Sequence, residues 1–198
     1  WHWQEEKITC FDSDITIHVN GSMTVTEKIT TLVTGFHIKH GLLREFPTNY
    51  KDALGNAYNI EFAIDSVSID DVSAPYCIKS FANGKRVYIG DPDKYISHGK
   101  HTFVLTYTTN RQLGFFELHD ELYWNVTGTG WKLPIDRVIA TVRLACDYDD
   151  LINKIKHEAY TGYQGDCGAD YKSVINDDGS ITFRTTQNLQ PYQGLTIV

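Results

Sequence analysis

The sequence lacks the patterns that mark the common enzyme and nucleotide-binding classes. Its 198 residues contain no GxSxG, SxxK or HExxH motif for hydrolysis, and no GxGxxG or GxxxxGK[ST] loop for phosphate. The four cysteines form no CxxC pair, which argues against a zinc ribbon or a thioredoxin-type motif. We therefore expect no catalytic residue, no metal and no cofactor, and we predict that the protein is not an enzyme.

Long apolar runs and basic patches are also missing. No stretch approaches the roughly 20 consecutive apolar residues of a membrane-spanning helix. Acidic residues outnumber basic ones by 25 to 18, which gives a formal net charge of -7, and they are scattered along the chain. Because phosphate binding requires a stripe of Lys and Arg, we expect no nucleic-acid partner, and docking on anionic lipid is disfavoured.

The residues that are abundant are those of β-strands. Aromatic residues make up 13% of the chain, with twelve tyrosines, and threonine, isoleucine and valine are plentiful. Apolar and polar residues alternate with period two, and turn residues recur about every 8–12 positions. These patterns predict one all-β domain over 1–198, an antiparallel, immunoglobulin-like β-sandwich of about ten strands, with 147–170 as a candidate appendage.

Two glycine-containing turns predict hairpins. A three-residue loop at Asn20-Gly21-Ser22 would place Ile17 opposite Val25. A two-residue turn at Asn83-Gly84 would place Ile78 opposite Ile89. A third tight turn is predicted at "NDDG", Asn176 to Gly179.

Helical signal is confined to two segments. The stretch "DYDDLINKIKHEAY", 147–160, begins with acidic residues and places Leu151, Ile152, Ile155 and Ala159 on one face, so it predicts a short helix. The stretch "YKDALGNAY" could hold one helical turn that ends at Gly55.

The cysteines and histidines leave alternatives open. Cys146 and Cys167 flank a polar, glycine-rich segment and are the favoured disulfide pair, while four buried free thiols are the competing interpretation. The motifs HIKH and HGKH each carry two histidines three residues apart. In a strand this spacing points the rings to opposite faces, so we do not expect a metal site there.

Two tryptophans flank a glycine corner in "ELYWNVTGTGW". Gly128 and Gly130 permit a turn or bulge, and Pro134 cannot occupy a central ladder position. We predict that Trp124 and Trp131 lie on either side of this corner and pack against one end of the core, in preference to forming a ligand platform.

A second unusual stretch is "HGLLREFPTNY", in which a charged pair interrupts apolar residues. Arg44 could pair with Glu45 or Glu121, or lie flat on an indole face. Our hypothesis is that Arg44 packs on the tryptophan corner. The predicted binding surface consists of Arg44, Glu45, Tyr50, Trp124, Asn125 and Trp131.

These stretches together resemble the N-terminal extracytoplasmic domain of the YciQ-like bacterial predicted membrane proteins, the domain of unknown function 2207 family. The resemblance covers nearly the whole chain and rests on "NGSMTVTE", "HGLLREFPTNY", "IGDPDKYISHGKHTFVLTY", "LYWNVTGTGWKLPI", "YTGYQGDCGADY" and "LQPYQGLTIV". The departures are Asn20 in place of the usual Asp and the additional cysteines.

The resemblance implies a domain of a larger membrane protein. Transmembrane helices would follow Val198 in the parent protein, and this domain would face the periplasm or the cell exterior. The family carries no established catalytic residue. We therefore predict a non-catalytic extracytoplasmic domain that senses or binds a protein or glycan of the cell envelope. The alternative is a carbohydrate-binding β-sandwich module, whose sugar would stack on aromatic rings.

Overall fold

The computed structural model describes residues 4–51, 54–110, 112–115, 117–145 and 154–198. Within these ranges the chain is built from strands and contains no helix. The strands are β1 Lys7–Ile17, β2 Met23–Val33, β3 Leu42–Pro47, β4 Asn49–Lys51, β5 Ala57–Asn59, β6 Phe62–Ile69, β7 Val72–Ser73, β8 Tyr76–Phe81, β9 Gly84–Ile89, β10 Gly99–Thr109, β11 Leu113–Phe115, β12 Asp120–Leu122, β13 Trp124–Asn125, β14 Val138–Leu144, β15 Ala159–Gly162, β16 Tyr171–Ile175, β17 Ile181–Thr185 and β18 Gly194–Ile197.

Eight strands form the main sheet, in the order β16-β17-β14-β1-β2-β10-β6-β7. Neighbouring strands are antiparallel except for β1 and β14, which run parallel. The smaller sheets are β3-β9-β8, β13-β18-β15, β4-β5 and β11-β12. Parallel pairing requires a long connection, which the chain between β1 and β14 supplies.

The core lies between the main sheet and the smaller sheets. Along β2 every second side chain is buried, as the alternation of its sequence predicts. The ring of Phe46 on β3 lies 4.8 Å from that of Tyr107 on β10, and the ring of Phe11 on β1 lies 6.2 Å from that of Trp131. The predicted all-β sandwich is therefore confirmed.

The immunoglobulin-like detail is not confirmed. An immunoglobulin sandwich of about seven strands divides into sheets of about four and three. Here the main sheet alone has eight strands and includes the parallel β1–β14 pair.

Neither predicted helix is found among the described residues of its segment, and residues 52–53 and 147–153 lie outside them. Of the segment 147–160, residues 154–160 are described, and they are irregular until β15 begins at Ala159. In the second segment, β5 pairs with β4 in a short hairpin, with Tyr58 opposite Tyr50. Isolated short helices are marginal in water, and strand pairing satisfies backbone groups of β4, β5 and β15 instead. β15 lies in the predicted appendage, 147–170, and yet it belongs to one of the sheets of the sandwich.

The first predicted hairpin is confirmed, but its register is not. Ile17 pairs with Met23, a shift of two residues from the predicted register. His18 N donates to Ser22 O at 2.8 Å, so the turn falls one residue earlier than predicted and Val19, which lies in it, is exposed. An even shift keeps the same side chains on the buried face, so Ile15, Ile17, Met23 and Val25 are buried as predicted, whereas Val19 is not.

The second hairpin shows a shift of the same size. Phe81 pairs with Gly84 and Ile78 with Val87, so the turn falls one residue earlier than predicted. The third turn is confirmed, because Gly179 N donates to Asn176 O at 2.9 Å between β16 and β17. In the part of the chain that the structure describes, no helix has the length and apolar character needed to cross a membrane.

Candidate functional site

A buried ion pair lies at the centre of the sandwich. Arg44 on β3 donates from Nε to Oε2 of Glu27 at 2.9 Å and from Nη2 to Oε1 at 2.8 Å. The two residues come from facing sheets, and both are buried, with Arg44 4% and Glu27 0% exposed. This bidentate geometry suits a guanidinium and a carboxylate.

Further hydrogen bonds satisfy the pair. Tyr107 on β10 donates its hydroxyl to Glu27 Oε1 at 2.9 Å. Arg44 also donates from Nη2 to the carbonyl of Val126 at 3.2 Å and from Nη1 to the carbonyl of Glu45 at 3.1 Å. Because buried charges are costly unless they are paired and hydrogen-bonded, these contacts explain how the core accommodates both charges.

The surroundings of Arg44 and Tyr107 shift the pKa values of both side chains. Burial lowers the pKa of Arg44, but the charge of Glu27 outweighs this effect and holds it above the ordinary value for arginine. Burial, reinforced by the Glu27 carboxylate, raises the pKa of Tyr107 well above its usual value. Tyr107 is therefore a neutral hydrogen-bond donor, and Arg44 is a permanent cation.

Aromatic rings surround the guanidinium. Its Cζ lies 4.5 Å from the centroid of the Phe46 ring, 5.7 Å from that of Phe11 and 5.9 Å from that of Trp131. These distances fall within the range of cation–π contacts. The hypothesis that Arg44 packs on the tryptophan corner is confirmed for Trp131. The predicted ion-pair partner was wrong, because Glu27 takes the place of Glu45 or Glu121.

The glycine corner closes this end of the core. Gly128 has φ +72°, and its N–H donates to Oδ1 of Asn125 at 3.2 Å. The indole N–H of Trp131 donates to the carbonyl of Thr127 at 2.8 Å. Trp124 and Trp131 are 8% and 7% exposed, so both indoles belong to the core, as predicted. A sugar platform on these indole faces is inconsistent with their burial.

A cavity of about 450 Å³ adjoins the ion pair, with Arg44 in its wall. This size is within the range of about 300–1,000 Å³ that ligand pockets occupy. Two carboxylate side chains, Glu45 and Glu121, also line it. The aromatic residues that line it are Phe46, Tyr50, Tyr58, Phe62, Tyr123 and Trp124.

Most of the predicted binding surface meets at this cavity. Arg44, Glu45, Tyr50, Trp124 and Asn125 all line it.

The remaining predicted residues take other positions around the corner. Trp131 lies in the core beneath Arg44. Gly128 lines the cavity, and a side chain at Gly130 would lie 3.3 Å from Oε2 of Glu45. Pro134 lies outside the strands, and its carbonyl accepts from Ile8 N at 3.0 Å.

The sequence reasoning missed Glu27 and Tyr107. The sequence does contain a signal for Glu27, because it lies among the alternate residues of β2 that face the core, between Val25 and Ile29. A charged residue at an alternating core position predicts a buried partner of opposite charge. No comparable signal identifies Tyr107, because tyrosine is common both in cores and on surfaces.

Cys167 lies on a second cavity, of about 330 Å³, whose lining also includes Asp166 and Asp170. It is exposed. Its predicted disulfide partner, Cys146, lies outside the described residues, so that pairing stays a prediction.

The histidines of the two HxxH motifs make separate contacts. His101 Nδ1 lies 2.6 Å from Oδ2 of Asp70, and the ring of His40 lies 4.3 Å from that of Tyr95. A side chain at Gly35 would meet Nε2 of His98. Among the described residues, no group of three or more His, Cys, Asp and Glu side chains is placed to hold a metal ion.

These features define an all-β sandwich domain with a buried arginine–glutamate pair beside an aromatic-lined cavity. The chain belongs to the family described as predicted membrane protein (DUF2207) N-terminal domain, whose family model matches residues 7–198. The resemblance inferred from the motifs is thereby confirmed.

A curated relative supports the same assignment. The chain is 24% identical over 180 residues to the uncharacterized protein YciQ of Escherichia coli (strain K12). The match covers 91% of this chain and 28% of YciQ, so the chain spans less than a third of that relative.

Solved structures share the fold. Native leukotriene A4 hydrolase from Saccharomyces cerevisiae matches with a TM-score of 0.57 and 11% identity, over 97% of this chain and 29% of that enzyme. A mutant M1 zinc metallopeptidase from Deinococcus radiodurans matches with a TM-score of 0.51 and 12% identity, over 98% of this chain and 42% of that enzyme. At this level of identity the likeness shows the fold alone.

Proposed function

We propose that this chain is a non-catalytic, extracytoplasmic binding domain of a membrane protein and that the cavity beside Trp124 is its binding site. The observation that carries the proposal is the convergence of aromatic and carboxylate side chains from several different strands on one cavity of about 450 Å³. A concave, largely apolar site with a few polar groups is typical of ligand recognition.

The composition of the cavity favours binding over catalysis. Catalysis requires a nucleophile, an acid or a base within reach of a reacting atom. The groups nearest to such a role are Arg44 and the two carboxylates. Arg44 is committed to Glu27, and Glu45 is bound to Arg86 Nε at 2.6 Å. Glu121 alone would supply only one partner of such a mechanism.

The residues that line the cavity include buried side chains and an exposed one. Arg44, Trp124 and Phe46 are buried and belong to the core. Tyr123 is 60% exposed, so it lies where an incoming partner makes first contact. A buried base with exposed aromatic residues at its edge suits recognition with little rearrangement of the fold.

The saccharide alternative has one observation in its favour. The rings of Tyr50 and Tyr58 stack with centroids 5.7 Å apart and an interplanar angle of 21°. Stacked tyrosines can present a flat face to a pyranose ring. A saccharide is therefore kept as a second candidate ligand for the same cavity.

Site-specific cross-linking in the parent membrane protein tests the binding role. A photoreactive amino acid replaces Tyr123 at the cavity in one variant. In the control it replaces Val174, which is 52% exposed on the edge strand β16. We expect an envelope component to be captured from position 123 and not from 174. Equal capture at both positions, or none at 123, would contradict the proposal.

Thiol labelling tests on which side of the membrane this domain lies. Cys77 on β8 is exposed. In spheroplasts that express the parent protein, a membrane-impermeant maleimide should label Cys77 without lysis and should fail to label a Cys77→Ser variant at that site. Labelling that requires lysis would place this domain on the cytoplasmic side.

A further inference from the structure

We infer that the cavity recognises an organic cation, a small ligand that carries an alkylammonium group. This inference rests on the binding function proposed above and names the chemical class of its ligand. The first argument is the wall of the cavity, where Tyr50, Tyr58, Phe62, Tyr123 and Trp124 contribute aromatic rings. Ring faces attract ammonium ions, and several rings around one site form the cages that bind quaternary ammonium groups.

The second argument is the charge that remains after internal pairing. The Arg44 cation is neutralised by the bidentate Glu27, and the Glu45 anion by Arg86. Glu121 Oε2 lies 3.6 Å from His119 Nε2, a contact that is an ion pair only when the histidine is protonated. Among the described residues, no arginine or lysine forms an ion pair with Glu121, so its carboxylate is the acidic group of the cavity without a permanent cation beside it.

The sequence segment that contains Glu121 has a net negative charge. From 110 to 125 it carries three carboxylates, Glu117, Asp120 and Glu121, and one permanent cation, Arg111. A carboxylate beside aromatic rings, in a segment of net negative charge, favours a cation over an anion. A neutral ligand gains nothing from this charge.

The third argument separates a cation from a sugar. A sugar platform needs a broad aromatic face open to solvent, and Trp124 is 8% exposed. Tyr50 and Tyr58 are half-buried and turn one face of each ring towards the other. Several aromatic residues around a confined space suit the rounded shape of an alkylammonium head better than the flat face of a pyranose.

Paired ligands of equal shape test the inference. Isothermal titration calorimetry on the 198-residue chain at pH 7.5 compares choline with its neutral isostere 3,3-dimethyl-1-butanol. We expect choline to bind at least about tenfold more tightly than the isostere, because only choline carries a positive charge that the rings and Glu121 can attract. Equal affinity for both compounds would overturn the inference.

Two variants locate the site. Glu121→Gln, at a half-exposed position, should weaken choline binding by about tenfold, and Tyr58→Leu should weaken it by a similar factor. The control is Asp65→Asn, which removes an exposed carboxylate that accepts from Thr108 on the far face of the main sheet. It should leave the affinity for choline unchanged. Full binding by Glu121→Gln, or equal loss in the control, would contradict the assignment.

Failure of this inference is distinguishable from failure of the proposed function. N-acetylglucosamine and glucose are titrated in the same way. If a sugar binds and Tyr58→Leu abolishes its binding while choline gives no heat, the cavity is a binding site but not for a cation. If the cross-linking from position 123 also fails, the proposed function itself is wrong.

Discussion

Arg44 and Glu27 form a bidentate ion pair inside the sandwich, joined by hydrogen bonds of 2.9 and 2.8 Å between two facing sheets. Neither side chain has substantial access to solvent. A buried pair of this kind is costly to break, because removal of one partner leaves the other charge desolvated. The pair also supports the wall of the cavity, since Arg44 lies between the core and the proposed ligand site.

Substitution of Arg44 is expected to be severely destabilising. Arg44→Met should lower the free energy of unfolding by about 3–5 kcal/mol, because Glu27 would stay buried without its cation. The double variant Arg44→Met/Glu27→Gln should be more stable than Arg44→Met alone, because the amide removes the charge and still accepts from Tyr107. Urea unfolding measures both variants.

A surface pair supplies the control for this prediction. Arg86→Met removes the partially exposed partner of Glu45 and should cost less than about 1 kcal/mol. If Arg44→Met costs no more than Arg86→Met, or if the double variant is the least stable of the set, the buried pair does not have the role assigned to it.

The glycine corner makes a second prediction with a matched pair. Gly128 has φ +72°, and an added Cβ would lie 3.1 Å from Arg44 Nη1. Gly130 has no such backbone constraint, and its added Cβ would lie 3.3 Å from Glu45 Oε2, at the end of a half-exposed side chain. Gly128→Ala should therefore cost about 1 kcal/mol or more, and Gly130→Ala clearly less. Thermal unfolding of both variants in one buffer shows which variant is less stable, and equal melting temperatures would contradict the prediction.

Glu6 should make the stability depend on acid pH. Its buried carboxylate accepts from the backbone N–H groups of Thr34, Gly35, His37 and Ile38. Burial raises its pKa, but the four hydrogen bonds together outweigh this effect, so the pKa is lowered from 4.5. Because the folded pKa lies below the unfolded one, this contribution to stability is fully present above about pH 4.5 and is lost as pH falls through the lowered value.

Replacement of Glu6 tests that dependence. Glu6→Gln should lower the free energy of unfolding by about 1–3 kcal/mol at pH 7. In this variant the free energy of unfolding should also decrease less between neutral and acid pH than it does in the unmodified chain. Glu5→Gln is the control, because Glu5 is the exposed neighbour and should change neither quantity. Parallel pH profiles for Glu6→Gln and the unmodified chain would count against this role.

The burial of the two indoles can be measured directly. In a Trp1→Phe/Trp3→Phe background, Trp124 and Trp131 are the remaining tryptophans. Their emission should be blue-shifted and weakly quenched by acrylamide, since they are 8% and 7% exposed. Unfolding in urea should raise the quenching several-fold. Strong quenching in the folded state would show that the corner is open.

The sequence alone determined the all-β class and the buried faces of the long strands. Alternation with period two places side chains on opposite faces whatever the partner strand is. For this reason the two-residue register shift at the β1–β2 hairpin kept Ile15, Ile17, Met23 and Val25 on the buried face. At the β8–β9 hairpin Val87 and Ile89 of β9 are buried, whereas Ile78 of β8 is exposed. The tryptophan corner was also predictable, because large apolar rings beside a permissive glycine at the end of a strand tend to pack inwards.

The tertiary structure decided which distant residues meet. Arg44 and Glu27 are 17 positions apart and Tyr107 is 80 positions from Glu27, so no local spacing connects them. The parallel pairing of β1 with β14 and the absence of helix from the described part of 147–160 also depend on partners far along the chain. Periodicity fixes the face of the sheet on which a side chain lies. The residue that it contacts across the core depends on which strands are neighbours in the sheets, and the packing of the whole core determines that arrangement.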